Sequence, residues 1–192
     1  MPPVFETEDI QMKFPLCLFT RVSMPALLLL GLAGCMGVPE GAKPVQGFEI
    51  EKYLGTWYEI ARLDHSFERG LSNVTAQYSL RDDGGLRVVN RGYKTSEGKW
   101  DEAEGKAYFV DDKTLGMLKV SFFGPFYGAY NVIALDKQDY QWSLVVGPDT
   151  SYMWILSRSP VLEQAIVDQL LVQATALGFN TDDLIFVDHE VE

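Results

Sequence analysis

Reactive side chains are scarce in this chain. Its 192 residues include two histidines, His65 and His189, and two cysteines, Cys17 and Cys35. No Gly-x-Ser-x-Gly elbow, phosphate-binding glycine loop or His-Glu-x-x-His helix occurs. Asp64, His65 and Ser66 adjoin in sequence, whereas the members of a catalytic triad converge from separate parts of a fold. Asp82-Asp83 and Asp111-Asp112 read as solvated turn residues, and nothing in the sequence brings Glu51 next to Glu59. The chain therefore calls for no catalytic residue, no metal and no cofactor. Positive charge is also short: 16 Lys and Arg stand against 27 Asp and Glu, a net charge of −11. That balance excludes the basic face nucleic acid demands and attraction to anionic membranes by charge alone. Internal repeats, low-complexity tracts and long apolar runs are missing too. The run from Met24 to Gly34 falls short of the roughly 20 residues a membrane-spanning helix needs.

What that short run has is a particular ending. Leu32-Ala33-Gly34-Cys35 places a cysteine directly after two small residues, behind Lys13, Arg21 and an apolar stretch. This is the layout of a signal peptide, and the tetrapeptide resembles the lipobox of bacterial lipoproteins. It implies a leader over residues 1–34, cleavage before Cys35, and acyl chains on the sulfur and the new amino group of Cys35. Residues 1–11 carry three acids and no base, unlike a leader's start, which points to initiation at Met12 or Met24. The leader holds two bases against three acids, so the remainder keeps a net charge of −10. Cys17 leaves with it. One cysteine remains, so neither a disulfide within the mature chain nor a cysteine zinc site can form.

Residues 36–47, rich in Gly and Pro, read as a tether. A single domain over 48–192 comes next. Strand-like segments recur at 56–63, 73–80, 86–93, 103–110, 115–121, 129–135, 142–146 and 152–157, separated by turns such as Arg81-Asp-Asp-Gly-Gly85. Eight short strands at regular spacing predict an all-β antiparallel meander. Ser159-Pro160 then predicts a helix start. Apolar residues at 162, 166, 170, 174 and 177 form a helical stripe over 161–177 that ends at Gly178. One such helix belongs against the outside of a barrel. Residues 184–187 read as a short last strand.

Several phrases tie this pattern to a family. Gly55-Thr-Trp57 opens the first strand. Leu135-Asp136 through Asp139-Tyr140 precedes the seventh, and Trp154-Ile-Leu-Ser-Arg158 ends the eighth. Tyr53-Leu-Gly-Thr-Trp-Tyr-Glu-Ile-Ala-Arg62, Phe67-Glu-Arg-Gly70, Ser121-Phe-Phe-Gly-Pro-Phe-Tyr127 and Tyr130-Asn-Val-Ile-Ala134 look like the bacterial lipocalins in particular. The second block departs from the usual Thr-Asp-Tyr. The resemblance implies an eight-stranded up-and-down barrel closed at one end, with Gly55, Trp57 and Arg158 as a structural signature. Arg158 would lie across the ring of Trp57, a pairing of about 0.5–2 kcal/mol.

Strand alternation then gives an inner face. With Trp57 inward, Glu59 and Ala61 take that face as well. Ala76 and Tyr78, Val88 and Asn90, Ala107 and Phe109 share it on the next three strands. Tyr130, Val132 and Ala134 belong to the sixth, and Tyr152, Trp154 and Leu156 to the eighth. Ala61, Ala76, Ala107 and Ala134 are small and favour a hollow. A buried Glu59 needs an inward base, or must hydrogen-bond while neutral. The resemblance implies a fatty acid or lysophospholipid as ligand and an outer-membrane lipoprotein facing the periplasm. Met36 is not the aspartate that marks inner-membrane retention in such proteins. Two alternatives stay open: an enzyme acting on a lipid in the barrel, and a structural lipoprotein packed solid. Oligomeric state, a homodimer included, is open as well.

Overall fold

The computed structural model describes residues 37–189. The apolar leader and Cys35 lie outside the described residues. Eight strands, β1 (Gly55–Arg62), β2 (Leu71–Leu80), β3 (Leu86–Lys94), β4 (Lys99–Phe109), β5 (Met117–Phe123), β6 (Phe126–Leu135), β7 (Trp142–Val146) and β8 (Met153–Ser157), each pair antiparallel with the next. β1 pairs with both β2 and β8, which closes the sheet into a barrel. A ninth strand, β9 (Ile185–Phe186), pairs with the upper part of β1. Asn73 in β2 donates its backbone N–H to the Asp188 carbonyl at 2.7 Å, so this C-terminal segment fills the seam where β2 leaves β1.

Strand order defines two ends. The β2–β3, β4–β5 and β6–β7 turns lie at one, which the short helix α1 (Ile50–Tyr53) enters just before β1. The β1–β2, β3–β4, β5–β6 and β7–β8 connections lie at the other, the mouth. In the β2–β3 turn, Gly84 takes φ +79°, and Arg81 accepts from and donates to the turn backbone. A side chain would strain that left-handed position. β4 begins four residues earlier than the alternation predicts, because Lys99-Trp-Asp-Glu102 is exposed and has no buried face to reveal its period.

The long helix α2 (Gln164–Ala176) starts three residues later than its stripe predicts. Ser159 and Pro160 do not open it. Ser157 and Ser159 instead use their hydroxyls to accept from the backbone of Ser159 and Val161, holding a bend, and the Glu163 carbonyl takes the first helical bonds. The helix stops at Gly178, φ +84°, whose N–H donates to Thr175 while Phe179 donates to Ala174. This paired closure is a Schellman cap, and Phe179 is buried against the same apolar layer as Ala174.

Residues 37–47 do not hang free as a tether. Asn131 Nδ2 donates to the Gly37 carbonyl at 3.1 Å, Val45 donates to Val132 at 2.8 Å, Gln46 bridges Leu115, and Phe48 donates to Thr114. The segment is a strap running down the barrel wall from the mouth to the closed end.

The wall separates two apolar layers. One lies inside and includes Trp57, Tyr78, Val88, Ala107, Val132 and Leu156. The other lies outside beneath α2 and includes Ile60, Ala61, Ile133, Leu144, Val146, Ile155 and Leu170. Two β-bulges set the boundary. In β1, Glu59 pairs with Leu156 but Ala61 with Ile155; in β6, Val132 pairs with Val145 but Ala134 with Leu144. Each inserted residue reverses the phase of the strand beyond it. Ala61 and Ala134 therefore face α2, not the interior as alternation predicts, and the hollow loses two of its four small residues.

Candidate ligand-binding site

The closed end is built from β1 and its neighbours. Trp57 is fully buried, and its indole N–H donates to the Tyr53 carbonyl at 2.8 Å. The Arg158 guanidinium lies 3.9 Å from the indole centroid. The same guanidinium donates to the carbonyls of Thr56 at 2.8 Å and Lys52 at 2.7 Å, and its Nε to Tyr140 at 3.3 Å. One cation thus ties α1, β1 and the end of β6–β7 over a single ring. Gly55 has φ +93° and passes beside Arg158, where any Cβ would sit 3.5 Å from Nη1.

Above this floor stands a tyrosine layer. Tyr78 donates to the Tyr130 hydroxyl at 2.9 Å; Tyr130 and Tyr53 share a bond at 2.8 Å, and Tyr53 reaches Ser143 Oγ at 3.1 Å. Burial pushes the Tyr53 phenol up to about 12 and raises those of Tyr78 and Tyr130 as well, so all three stay neutral donors and acceptors at any ordinary pH. These hydroxyls mostly satisfy one another. Only a small apolar void of about 10 Å³, room for about one water, remains between Tyr53, Tyr78, Leu86, Ala107, Leu118, Val120 and Tyr130.

Exposure rises along the inner face toward the mouth. Tyr78, Val88, Val132 and Leu156 are buried; one step nearer the mouth on the same strands, Ala76, Asn90, Tyr130 and Trp154 are half-buried. Phe109, at the closed end of β4 below the buried Ala107, is half-buried and stands outside this trend. Ala103, on the inner face of β4 opposite Asn90, is exposed. The Asn90 carbonyl oxygen is buried without a protein partner. Tyr152 does not share the cavity wall with Trp154. It precedes β8 in the rim loop and stacks on His65, ring centroids 5.0 Å apart.

The bulge in β1 brings in a residue that alternation places outside. Arg62 is 1% exposed, and its Nη1 donates to Glu59 Oε1 at 2.6 Å. Its Nη2 donates to the carbonyls of Glu68 at 2.9 Å and Leu71 at 3.3 Å, pinning the β1–β2 loop into the mouth. Glu68, also buried, accepts from the Trp154 indole N–H at 3.0 Å. Glu59 is ion-paired with Arg62 and Glu68 lies close by; burial pushes both carboxyls up, repulsion from Glu68 adds to the rise of Glu59, and the Arg62 charge opposes both. His65, stacked between Phe67 and Tyr152, is pulled down to about 4 by burial and then by the Arg62 charge, so it is neutral at pH 7. Arg62 and Glu68 went unread in the sequence. The one available signal was the demand of an inward Glu59 for a base.

An eight-stranded barrel plugged by an indole under a guanidinium, with an apolar interior and a polar cluster at its mouth, belongs to the class of barrels that hold at most one small ligand. The family comparison agrees: residues 48–189 match the model of the lipocalin-like domain, and the chain belongs to the lipocalin family. Within it, the chain sits with the bacterial outer membrane lipoproteins. It is 57% identical to outer membrane lipoprotein Blc of Vibrio cholerae over 159 residues, 83% of this chain and 93% of that one. It is 56% identical to the Escherichia coli K12 protein of the same name, over 78% of this chain and 84% of that one. Among solved structures, insecticyanin of the tobacco hornworm superposes with a TM-score of 0.64 at 26% identity, covering 79% of this chain and 86% of that one.

Proposed function

We propose that this lipocalin is a lipid-anchored carrier at the periplasmic face of the outer membrane that holds a fatty acid or lysophospholipid, acyl tail down and head group at the mouth. Cys35 carries the anchor. The observation that carries this reading is the gradient of the inner wall, from buried apolar side chains at the floor to half-exposed ones at the rim, capped on one side by Glu59, Arg62, Glu68 and Asn90. An apolar cavity with a few converging polar groups suits a ligand with a tail and a head. The lipocalin family is one of binding proteins, and the buried carboxyls here are engaged with Arg62 and Trp154, which supports a binding rather than a catalytic role.

Trp154 reports occupancy. It is half-buried in the wall with its indole N–H on Glu68, so an acyl chain passing it excludes water and shifts its fluorescence. Titration with saturated acids of increasing length should give micromolar binding, about 8 kcal/mol, only once ten or more methylenes are buried at about 0.8 kcal/mol each. Association and ordering costs make short acids weak. In Trp154→Phe the shift should vanish while calorimetric binding persists. One observation favours a second reading, a barrel filled by its own side chains. The void between the tyrosines, about 10 Å³, is far below the roughly 300–1,000 Å³ usual for ligand pockets. Equal affinity for short and long acids, or no lipid in mass spectra of the natively purified protein, would select that reading.

A further inference from the structure

Among the described residues, the three most exposed aromatic side chains all stand at the mouth. Phe123 is 80% exposed, Phe126 78% and Phe67 62%. Phe123 and Phe126 face each other across the tip of the β5–β6 hairpin, and Phe67 crowns the β1–β2 connection. In an eight-stranded barrel with this strand order, those two connections lie on opposite sides of the rim. The apolar groups thus mark two ends of a diameter rather than one patch, which is the arrangement that seats a ring flat on a surface.

The strap ends at the same rim. Asn131 Nδ2 donates both to Gly37 and to Gly147, each at 3.1 Å, and Gly37 lies against the Pro148 carbonyl in the β7–β8 connection. Cys35 is two residues further along the chain. Two residues span at most about 7 Å, so the described chain leaves the fold at the mouth with little length before Cys35. With a net charge of −11, the chain gains no electrostatic help at an anionic surface, which leaves apolar insertion.

We propose that the mouth of the barrel rests on the membrane that holds the anchor. Phe67, Phe123 and Phe126 enter the boundary between head groups and acyl chains, and ligand passes between bilayer and cavity without crossing water. The proposal rests on the reading of Cys35 as the lipidated residue. Aromatic side chains favour that boundary, and burial there reaches about 5–10 Å.

The full-length, processed lipoprotein offers a clean test, because Cys17 departs with the leader and the Cys35 thiol is blocked by lipid. A cysteine introduced by Phe126→Cys is then the sole free thiol, and Asp82→Cys, in the β2–β3 turn at the closed end, serves as control. Both positions are exposed, so neither change threatens the fold. Each variant is nitroxide-labelled in vesicles of phosphatidylethanolamine and phosphatidylglycerol and exposed to oxygen or a water-soluble nickel chelate. The label at 126 should shift toward oxygen and away from nickel, and the label at 82 should show the reverse. Nickel accessibility at 126 equal to that at 82 overturns the proposal. So does protection from both reagents with spin–spin broadening, which would show a second copy covering the rim. Failure of the protein to float with the vesicles is a separate result: it removes the anchor reading, and the orientation falls with it. As a second readout, Phe123→Ser with Phe126→Ser should slow uptake of a fluorescent lysophospholipid from vesicles at unchanged affinity. An unchanged uptake rate contradicts direct passage.

Discussion

Replacing Arg62 with Met isolates the one charge that organises the rim. The substitution keeps an unbranched side chain of similar length and removes the guanidinium. It leaves Glu59 and Glu68 buried with no cation, and the carbonyls of Glu68 and Leu71 lose their donor. Removing one partner of a buried ion pair costs about 3–5 kcal/mol. That is a large share of the roughly 5–15 kcal/mol by which folded domains are stable. At about 2–4 °C per kcal/mol for a domain of this size, the midpoint should fall by about 6–20 °C. Thermal unfolding followed by circular dichroism at pH 7 measures it. The double variant Arg62→Met with Glu59→Gln removes one uncompensated carboxyl and should recover at least half of the loss. A single-variant loss below about 1 kcal/mol would refute the argument, since exposed pairs are worth that little. Absence of recovery in the double variant would show that the loop carbonyls, not the charge, carry the cost.

Three further outcomes are expected of the same structure. Trp57→Ala should cost about 3–5 kcal/mol, as for other buried aromatic truncations, and a urea midpoint equal to that of the parent would show that Trp57 supports nothing. Cys35→Ala should move the protein from the membrane to the soluble periplasmic fraction with its circular dichroism unchanged; a variant still in the membrane pellet would sink the anchor assignment. The pH profile of stability should have two opposed limbs. Glu59 and Glu68 titrate higher in the fold than in the unfolded chain, so their contribution is full below the unfolded carboxyl value and is lost as pH rises through the folded one. His65 titrates lower in the fold, about 4 against an unperturbed 6.5, so its contribution holds above 6.5 and is lost as pH falls toward 4. Urea midpoints across pH should flatten on the alkaline limb in Glu59→Gln and on the acid limb in His65→Phe; an unaltered profile in either variant would contradict its assignment.

Much of the barrel is legible from residue order alone. Turn glycines, the alternation of β2 and β3 and the apolar stripe of α2 are local signals, and local physics decides them. The bulges are not legible. Ile60-Ala61 and Ile133-Ala134 are apolar pairs, so an inserted residue leaves the hydrophobic pattern unbroken while the facing strand, which the sequence does not display, sets the register. The error then propagates: Arg62 is read as outward and Ala61 as inward. The start of β4 escapes for the opposite reason, since a strand with neither face buried carries no pattern. Tyr152 falls in phase with Trp154, yet the strand begins only at Met153, and phase has no meaning beyond a strand's end.

The strap from Gly37 to Phe48 gives the molecule a mechanical character. Its bonds to Asn131, Val132, Gly116, Leu115 and Thr114 lie one below another along the wall, while the chain leaves at the top. A pull on the anchor along the barrel axis therefore acts parallel to the strap and strains these bonds side by side. A sideways tug would open them one at a time, like a zip. The fold resists best when tension runs along the axis, and it yields most readily when the anchor drags across it.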